Sequence, residues 1–290
     1  MIKPIKEDGI DAAADLAWST QETPETASFP RFRSRNALKE KFQDMLKKPE
    51  GRLLGCYDGS ELKGVLCLFV DSDSRYCEAI CGICAAGGDP AVYDEMSRHV
   101  AAAFEGYEAI LAYPGENKAA ADAAVAAGAA PFESSVSMRL AKADFKQGQS
   151  GGVNKLGRER FSEYSAFHDA AYPDYYWNAA RIREARDKWD VNVYMDGGKI
   201  CGSVFTSTWD KTEAEIFGVA VDAGHRGRGI EARLITRACS EAFRGGKKSV
   251  LFFIDSSDPA FRQAAEKCGF KPVSTYKSFR FAPESAAAEE

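Results

Sequence analysis

Gly218-Val219-Ala220-Val221-Asp222-Ala223-Gly224-His225-Arg226-Gly227-Arg228-Gly229-Ile230-Glu231-Ala232-Arg233-Leu234-Ile235 is the stretch on which the reading of this chain turns. An apolar, β-branched run from Ile216 to Val221 predicts a strand, and a polar turn ends it. Glycines and arginines then alternate from Arg226 to Gly229. Beyond them Leu234, Ile235, Ala238, Cys239, Ala242 and Phe243 recur at the spacing of one helical face. The order is strand, glycine-rich loop, helix. Glycine lets a backbone bend tightly and approach a ligand without a Cβ in the way. The first turn of a helix leaves N–H groups unpaired, and its dipole favours negative charge. Such a turn holds phosphate or pyrophosphate, and Arg226 and Arg228 add charge-assisted donors.

The loop lacks the Gly-Lys-Ser/Thr ending of a Walker loop and the three glycines of the dinucleotide fingerprint. In Arg226-Gly227-Arg228-Gly229-Ile230-Glu231 it resembles the GNAT family of acyl-CoA-dependent N-acyltransferases, whose signature is Gln/Arg-x-x-Gly-x-Gly/Ala after a Val-rich strand. Five positions fit; Glu231 stands where a small residue is usual. A carboxylate there repels a bound pyrophosphate unless its side chain points to solvent. The plain alternative is a glycine-rich turn with two solvated arginines.

The chain has 290 residues, long enough for two domains of ordinary size. Its apolar fraction of 45% suffices for two cores. A net charge of −5, with both signs mixed along the chain, argues against nucleic acid as the main partner and suits a cationic small substrate. No apolar run is long enough to span a bilayer, and the start carries no signal-peptide core, so no membrane partner and a cytoplasmic location are expected. The eight cysteines fall mostly inside apolar strand or helix patterns, which predicts reduced thiols. Cys81-Gly82-Ile83-Cys84, near Cys77, has no second ligand pair, and a spacing of three in a strand puts its thiols on opposite faces. No metal site is expected.

In the first half, helices are predicted over 8–18, 36–48, 91–104 and 117–127, with strands over 53–57, 62–70, 76–85, 108–113 and 134–140. Asp58-Gly59 signals a hairpin turn. This order resembles the GNAT fold without its site: Ala85-Ala86-Gly87-Gly88-Asp89-Pro90 replaces the Arg-x-x-Gly-x-Gly loop. Asp89 reads as a helix N-cap with Pro90 at the first helical position, a carboxylate where pyrophosphate would lie. Residues 1–143 therefore read as a degenerate copy, and polar, aperiodic 144–157 as a linker. The expected whole is a mixed α/β protein of two tandem GNAT-like domains, the second over 158–282, with 283–290 a disordered tail. The family shows such a two-copy arrangement in mycothiol synthase.

In the second half, helices are predicted over 160–171 and 177–189, a hairpin about Asp196-Gly197-Gly198, a strand over 250–255 and a helix over 258–267 begun by Asp258-Pro259. The resemblance implies that acetyl-CoA lies against Val219, Ala220 and Val221, with its pyrophosphate on the amides of Gly227, Arg228, Gly229, Ile230, Glu231 and Ala232. Arg226 and Arg228 would sit near the phosphates. It also implies that the connection between the first two helices lines the acceptor side, which assigns Tyr172, Asp174, Tyr175 and Tyr176 to the amine. Asp174 and nearby Glu163 supply negative charge there, and aromatic faces attract cations. The bland alternative is that these rings are packing.

Acyl transfer needs an uncharged amine, hence a general base. Glu215 stands where several GNAT enzymes carry their catalytic glutamate, with Glu213 as the second candidate. The amine then attacks the thioester directly, and a backbone N–H of the strand, with Val219 the expected donor, stabilises the oxyanion. The family's usual proton-donating Tyr corresponds here to Ala265, which leaves Ser256 and Ser257 as neighbouring hydroxyls. The expectation is an N-acetyltransferase acting on a primary amine of a small molecule or peptide. Its rival is a non-catalytic acyl-CoA-binding or scaffold protein of the same fold.

Overall fold

The structure is a computed structural model that describes residues 1–32, 34–173 and 175–282. The first half runs β1 (Ile2–Pro4), α1 (Ile10–Ser19), α2 (Arg35–Leu46), β2 (Gly51–Asp58), β3 (Glu61–Asp71), β4 (Tyr76–Ala85), α3 (Pro90–Ala103), β5 (Glu108–Pro114), α4 (Lys118–Ala126) and β6 (Ala130–Ala141). The second repeats that order: β7 (Val153–Lys155), α5 (Phe161–Ala171), α6 (Ala179–Glu184), β8 (Trp189–Asp196), β9 (Lys199–Ser207), β10 (Glu213–Val221), α7 (Ile230–Arg244), β11 (Ser249–Asp255), α8 (Pro259–Cys268) and β12 (Lys271–Phe281). The architecture is the expected mixed α/β one.

Local chemistry explains most boundaries. Ser34 caps α2 and Asp89 caps α3 through Ala91 N–H, with Pro90 opening the helix. Asp258 accepts from Ala260 and Phe261 at the start of α8. The apolar stripe of α7 is buried along its length, from Ile230 through Leu234, Ile235, Ala238 and Cys239 to Phe243. Between β8 and β9, Gly197 and Gly198 have φ of 55° and 81°, a conformation that glycine adopts without strain. The helix predicted over 177–189 is shorter: α6 ends at Glu184, a 3₁₀ turn follows, and Trp189 opens β8. Its apolar spacing carried on into the strand, where alternate residues meet a core of their own.

The chain divides into two compact units, Met1–Ser134 with the segment from Thr275 onward, and Ser135–Ser274. In the first, β2, β3 and β4 pair antiparallel, β4 and β5 parallel, and β12 closes the sheet on β5 from Tyr276↔Pro114 to Phe281↔Ala109. In the second, β7 to β10 pair antiparallel in succession, β10 and β11 parallel, and β6 closes the sheet on β11 from Ser135↔Asp255 to Ala141↔Ser249. The final strand of each half thus completes the sheet of the other. A boundary at 143 places β6 with the first half, whereas its Ser135–Ala141 ladder belongs to the second unit. Two closing strands of similar pattern can serve either sheet, so this exchange, like a domain swap within one chain, is invisible to periodicity.

Residues 144–157 are linker-like in composition yet packed in place. Lys146 N–H donates to Cys268 O, Gly148 lies against Thr236, and Val153–Lys155 form β7 on the edge of β8. The fragments 1–143 and 144–290, made separately, are therefore expected to aggregate, because β5 and β11 each lose the partner that covers an edge. Co-expression should recover soluble, co-purifying halves; soluble separate fragments on a sedimentation assay would contradict the exchange.

The thiols of Cys81 and Cys84 share a face, contrary to the alternation of a regular strand. A register shift in the β3–β4 ladder, from Val65↔Cys84 to Cys67↔Cys81, turns both toward one core, with their sulfurs 3.7 Å apart. All eight cysteines are free and buried. Among the described residues no cluster of His, Cys, Asp or Glu is placed to hold a metal ion, and no helix is long and apolar enough to cross a membrane.

Candidate active site

The glycine-rich loop leaves β10 through a 3₁₀ turn at Ala223–His225 and enters α7 at Ile230. Gly227 and Gly229 have φ of 76° and 71°, and a Cβ on either would meet no protein atom within 4 Å. The backbone conformation, not crowding, is what requires glycine here. Among the described residues, no acceptor takes the N–H groups of 227–232; the first amide of the helix to find one is Arg233, bonded to Gly229 O. These amides gather at the positive end of a 15-residue helix.

Polar contacts brace the loop, among them an ion pair of Arg228 Nη1 with Asp196 at 3.8 Å. His225 bonds Asp222 through Nδ1 at 2.8 Å and Asp196 through Nε2 at 3.2 Å. The hydrogen bond from His225 holds the Asp222 carboxyl below its usual range. Arg226 Nε donates to Val221 O at 3.4 Å, and Arg228 Nη2 to Gly224 O at 3.1 Å. His225 is thereby a strut between the loop and the β8–β9 turn.

Beside the loop lies a groove of about 310 Å³ whose charged walls are Lys146, Arg228, Arg233 and Lys267. None of its wall residues is acidic, so its potential favours an anion beside the unpaired amides. Lys146 and Lys267 carry no sequence signal for this role: one sits in the linker-like strap and the other at the end of α8, and only folding joins them. Glu231, the departure in the loop, is buried at 9% exposure, not turned out to solvent, and is not among the groove's walls.

The sheet next to the loop splays. β10 pairs with β9 as far as Val221, but with β11 only from Glu213↔Ser249 to Ile216↔Phe252. A bulge between Ile216 and Gly218 marks the parting. Val219, Ala220 and Val221 continue past it toward the loop.

Glu215 lies just before this bulge and is half-buried. It pairs with Ser207, which pairs with Trp189 on the other side, so the three share one face of the sheet. That face is aromatic. Phe217 meets Trp189 at 5.0 Å and Trp209 at 5.4 Å, and Phe205 meets Trp189 at 5.6 Å. The sequence reading missed this wall, since its members come from β8, β9, β10 and a loop. Glu213 is otherwise engaged: Arg139 Nε lies 3.1 Å from its carboxylate and Ser249 Oγ donates at 2.7 Å.

Of the residues expected at the acceptor side, Tyr172 sits deepest. Its hydroxyl would lie 2.6 Å from a Cβ on Gly218, which puts it directly at the bulge. Burial pushes its phenol well above the usual range. Tyr175 is exposed and packs against Tyr172 and Phe205. The ring of Tyr176 is capped by the Arg181 guanidinium at 4.1 Å, so that ring already has its cation. Asp174 lies outside the described residues. Glu163 serves the fold, with Arg160 at 2.9 Å and the Ile200 N–H at 2.8 Å on its carboxylate. His168 is fully buried between Tyr164 OH and Trp177 O, and burial lowers its pKa.

Residues 154–270 match the family model described as the acetyltransferase (GNAT) family. Over that stretch the second half of the chain resembles a GNAT domain. Solved structures extend the likeness of fold to the whole length. A GCN5-related N-acetyltransferase from Sphaerobacter thermophilus superposes with a TM-score of 0.69 at 16% identity, covering 97% of this chain and 95% of that one. A GNAT-family acetyltransferase from Colwellia psychrerythraea gives 0.59 at 16%, covering 97% and 99%. A tandem GNAT protein from the clavulanic acid biosynthesis pathway gives 0.62 at 13%, covering 98% and 99%. A search of curated proteins finds no match.

The GNAT frame makes the two halves comparable strand by strand. In the first unit, β4 and β5 also part early, pairing only from Tyr76↔Glu108 to Glu78↔Ile110. Here the chain fills the split itself. Phe29 N–H donates to Ala112 O on β5, and Gly82 N–H on β4 donates to Phe29 O, both at 3.0 Å. Asn117, Tyr93 and Ser28 pin this segment through Ala27 O, Thr26 O and Gly82 O. The α1–α2 connection is thus a built-in strand in the slot. In the second unit, Ala265 is fully buried, and Ser257 Oγ is bound to Asp255 at 2.7 Å.

Proposed function

We propose that the second unit is an N-acetyltransferase that moves an acetyl or other acyl group from acyl-CoA to a primary amine. The observation that carries this reading is the row of unpaired amides at 227–232 joined to a groove with cationic and no acidic walls. In this reading the pyrophosphate rests on those amides, with Arg226 and Arg228 beside it, and the pantetheine runs along Val219–Val221 as an added strand. The strap residue Lys146 and the helix residues Arg233 and Lys267 offer charge to the remaining phosphate.

The amine lies on the aromatic face, and Glu215, directly or through a water, takes its proton. Attack on the thioester carbonyl gives an oxyanion that a backbone N–H of β10 stabilises, with Val219 the assigned donor. Collapse expels CoA as a thiolate, and Tyr172 OH, set against the bulge and kept neutral by burial, donates a hydrogen bond to it where Ala265 cannot. The acceptor is a small molecule or peptide, and the first unit binds no acyl-CoA because its own chain occupies the slot.

A second reading, a non-catalytic acyl-CoA binder, draws on Ala265 and on the buried Glu231. Calorimetric titration with acetyl-CoA tests the shared premise. One site per chain is expected, and Arg226→Ala with Arg228→Ala should weaken it at least ~10-fold, since exposed charge-assisted contacts are involved. Absence of binding, or a double variant that binds as well as the wild type, would remove the site from this loop.

A further inference from the structure

A second polar cavity, of about 450 Å³, lies under the other end of α7. Its walls come from the last turns of that helix and from β8 and β9, within the second unit. Glu241 sits twelve residues along the helix from Gly229, ~18 Å from the loop at 1.5 Å per residue. The acyl-CoA reading makes no use of this space.

The lining has two properties that a ligand must answer. First, its charges cancel and are largely satisfied within the protein. The cations are Lys155, Arg186 and Lys247, and the anions Asp187, Asp190 and Glu241. Lys155 pairs with Asp190 at 2.6 Å, Glu241 with Arg237 at 2.6 Å, and Lys247 donates to Thr208 O at 3.0 Å. A net ion gains nothing from such a wall. Second, the floor holds polar atoms without partners. Asn192 is fully buried; its Nδ2 donates to Glu241 at 3.0 Å, but its Oδ1 has no donor among the described residues. Thr206 is 3% exposed and its Oγ1 is likewise unpartnered. An apolar core position would accept Val in place of Thr206 at no cost, whereas a buried hydroxyl without a partner is destabilising.

We propose that this cavity is a binding site for a small, uncharged, hydroxyl-rich molecule of the polyol or sugar class. A hydroxyl donates to Asn192 Oδ1 and exchanges a hydrogen bond with Thr206 Oγ1, and it disturbs none of the ion pairs at the rim. The site is independent of the acyl-CoA loop.

The test uses the full chain, with glucose and inositol as polyol probes and alanine and phosphate as zwitterionic and anionic counter-probes. Binding is read by saturation-transfer NMR and stability by thermal unfolding. A polyol probe is expected to saturate at millimolar concentration, and Thr206→Val should weaken it at least ~10-fold. The same variant should raise the Tm of the ligand-free protein by about 2 °C or more, because it removes a buried unpartnered hydroxyl. Thr206→Ser should keep the binding, and Gly229→Val, in the loop, should not affect it. No saturation by either polyol up to about 50 mM, preference for alanine or phosphate, or undiminished polyol binding by Thr206→Val would each overturn the proposal.

Discussion

Glu215→Gln should slow amine-dependent release of CoA by ~10²-fold or more while leaving acetyl-CoA affinity within about twofold. The isosteric amide keeps the volume and the hydrogen-bonding reach of the side chain but cannot accept a proton. Because the amine reaches the site mostly as an ammonium ion, the loss falls on kcat and not on cofactor binding. Glu213 cannot take over, since Arg139 and Ser249 already hold its carboxylate on the row next to β11. Tyr172→Phe should cost less, ~10-fold, because a thiolate leaves readily without a proton. The pair of variants also separates the two readings of the domain. A wild type that binds acetyl-CoA and releases no CoA with any amine is a binder. Turnover that survives Glu215→Gln would place the base elsewhere on the aromatic face.

The parts of the fold legible in the sequence are those set by short-range chemistry. The stripe of α7, the Asp58-Gly59 and Asp196-Gly197-Gly198 turns, and the Asp-Pro starts of α3 and α8 each carry their cause within a few residues. The loop's shape was legible for the same reason, since positive φ at Gly227 and Gly229 is what those glycines are for. What stayed hidden depends on partners far along the chain. The exchange of β6 and β12 is decided by which sheet edge each strand meets, and nothing in 130–141 or 271–281 encodes that alone. Cys81 and Cys84 share a face because β3 and β4 slip register, a property of the pair. Lys146 reaches the cationic groove because the strap lies on Thr236 at Gly148. At the acceptor side the aromatic residues were visible as a cluster at 172–177, but the wall facing Glu215 is built from Trp189, Phe205, Trp209 and Phe217. Those rings come together through strand pairing, and no local spacing announces them.

Gly229→Val should abolish acetyl-CoA binding, with affinity falling ~10²-fold or more, and the intact protein should bind one acetyl-CoA per chain. Gly229 is the N-cap of α7 at φ 71°, a conformation that a β-branched side chain does not adopt without strain. The substitution meets no protein atom, so the fold has room for the new Cβ and pays chiefly by rotating the backbone. On the proposed reading, that rotation takes the amides of 229–231 out of register with a pyrophosphate and sets the side chain beside the amides that would hold it. The strain is local, ~1–2 kcal/mol, and circular dichroism should show an unchanged fold. The stoichiometry follows from the first unit, where Phe29 already bridges Gly82 and Ala112 at 3.0 Å on both sides. An incoming pantetheine would have to displace this segment, break both bonds and release Ser28, which is fully buried. Asp89 adds a carboxylate cap where the pyrophosphate of a second cofactor would sit. Two sites per chain would show that the α1–α2 connection yields to cofactor. One site that persists in Gly229→Val would move the activity to the first unit. Binding of one cofactor that this variant loses leaves a single productive slot, in the second unit, and assigns the first to holding the exchanged strand β12.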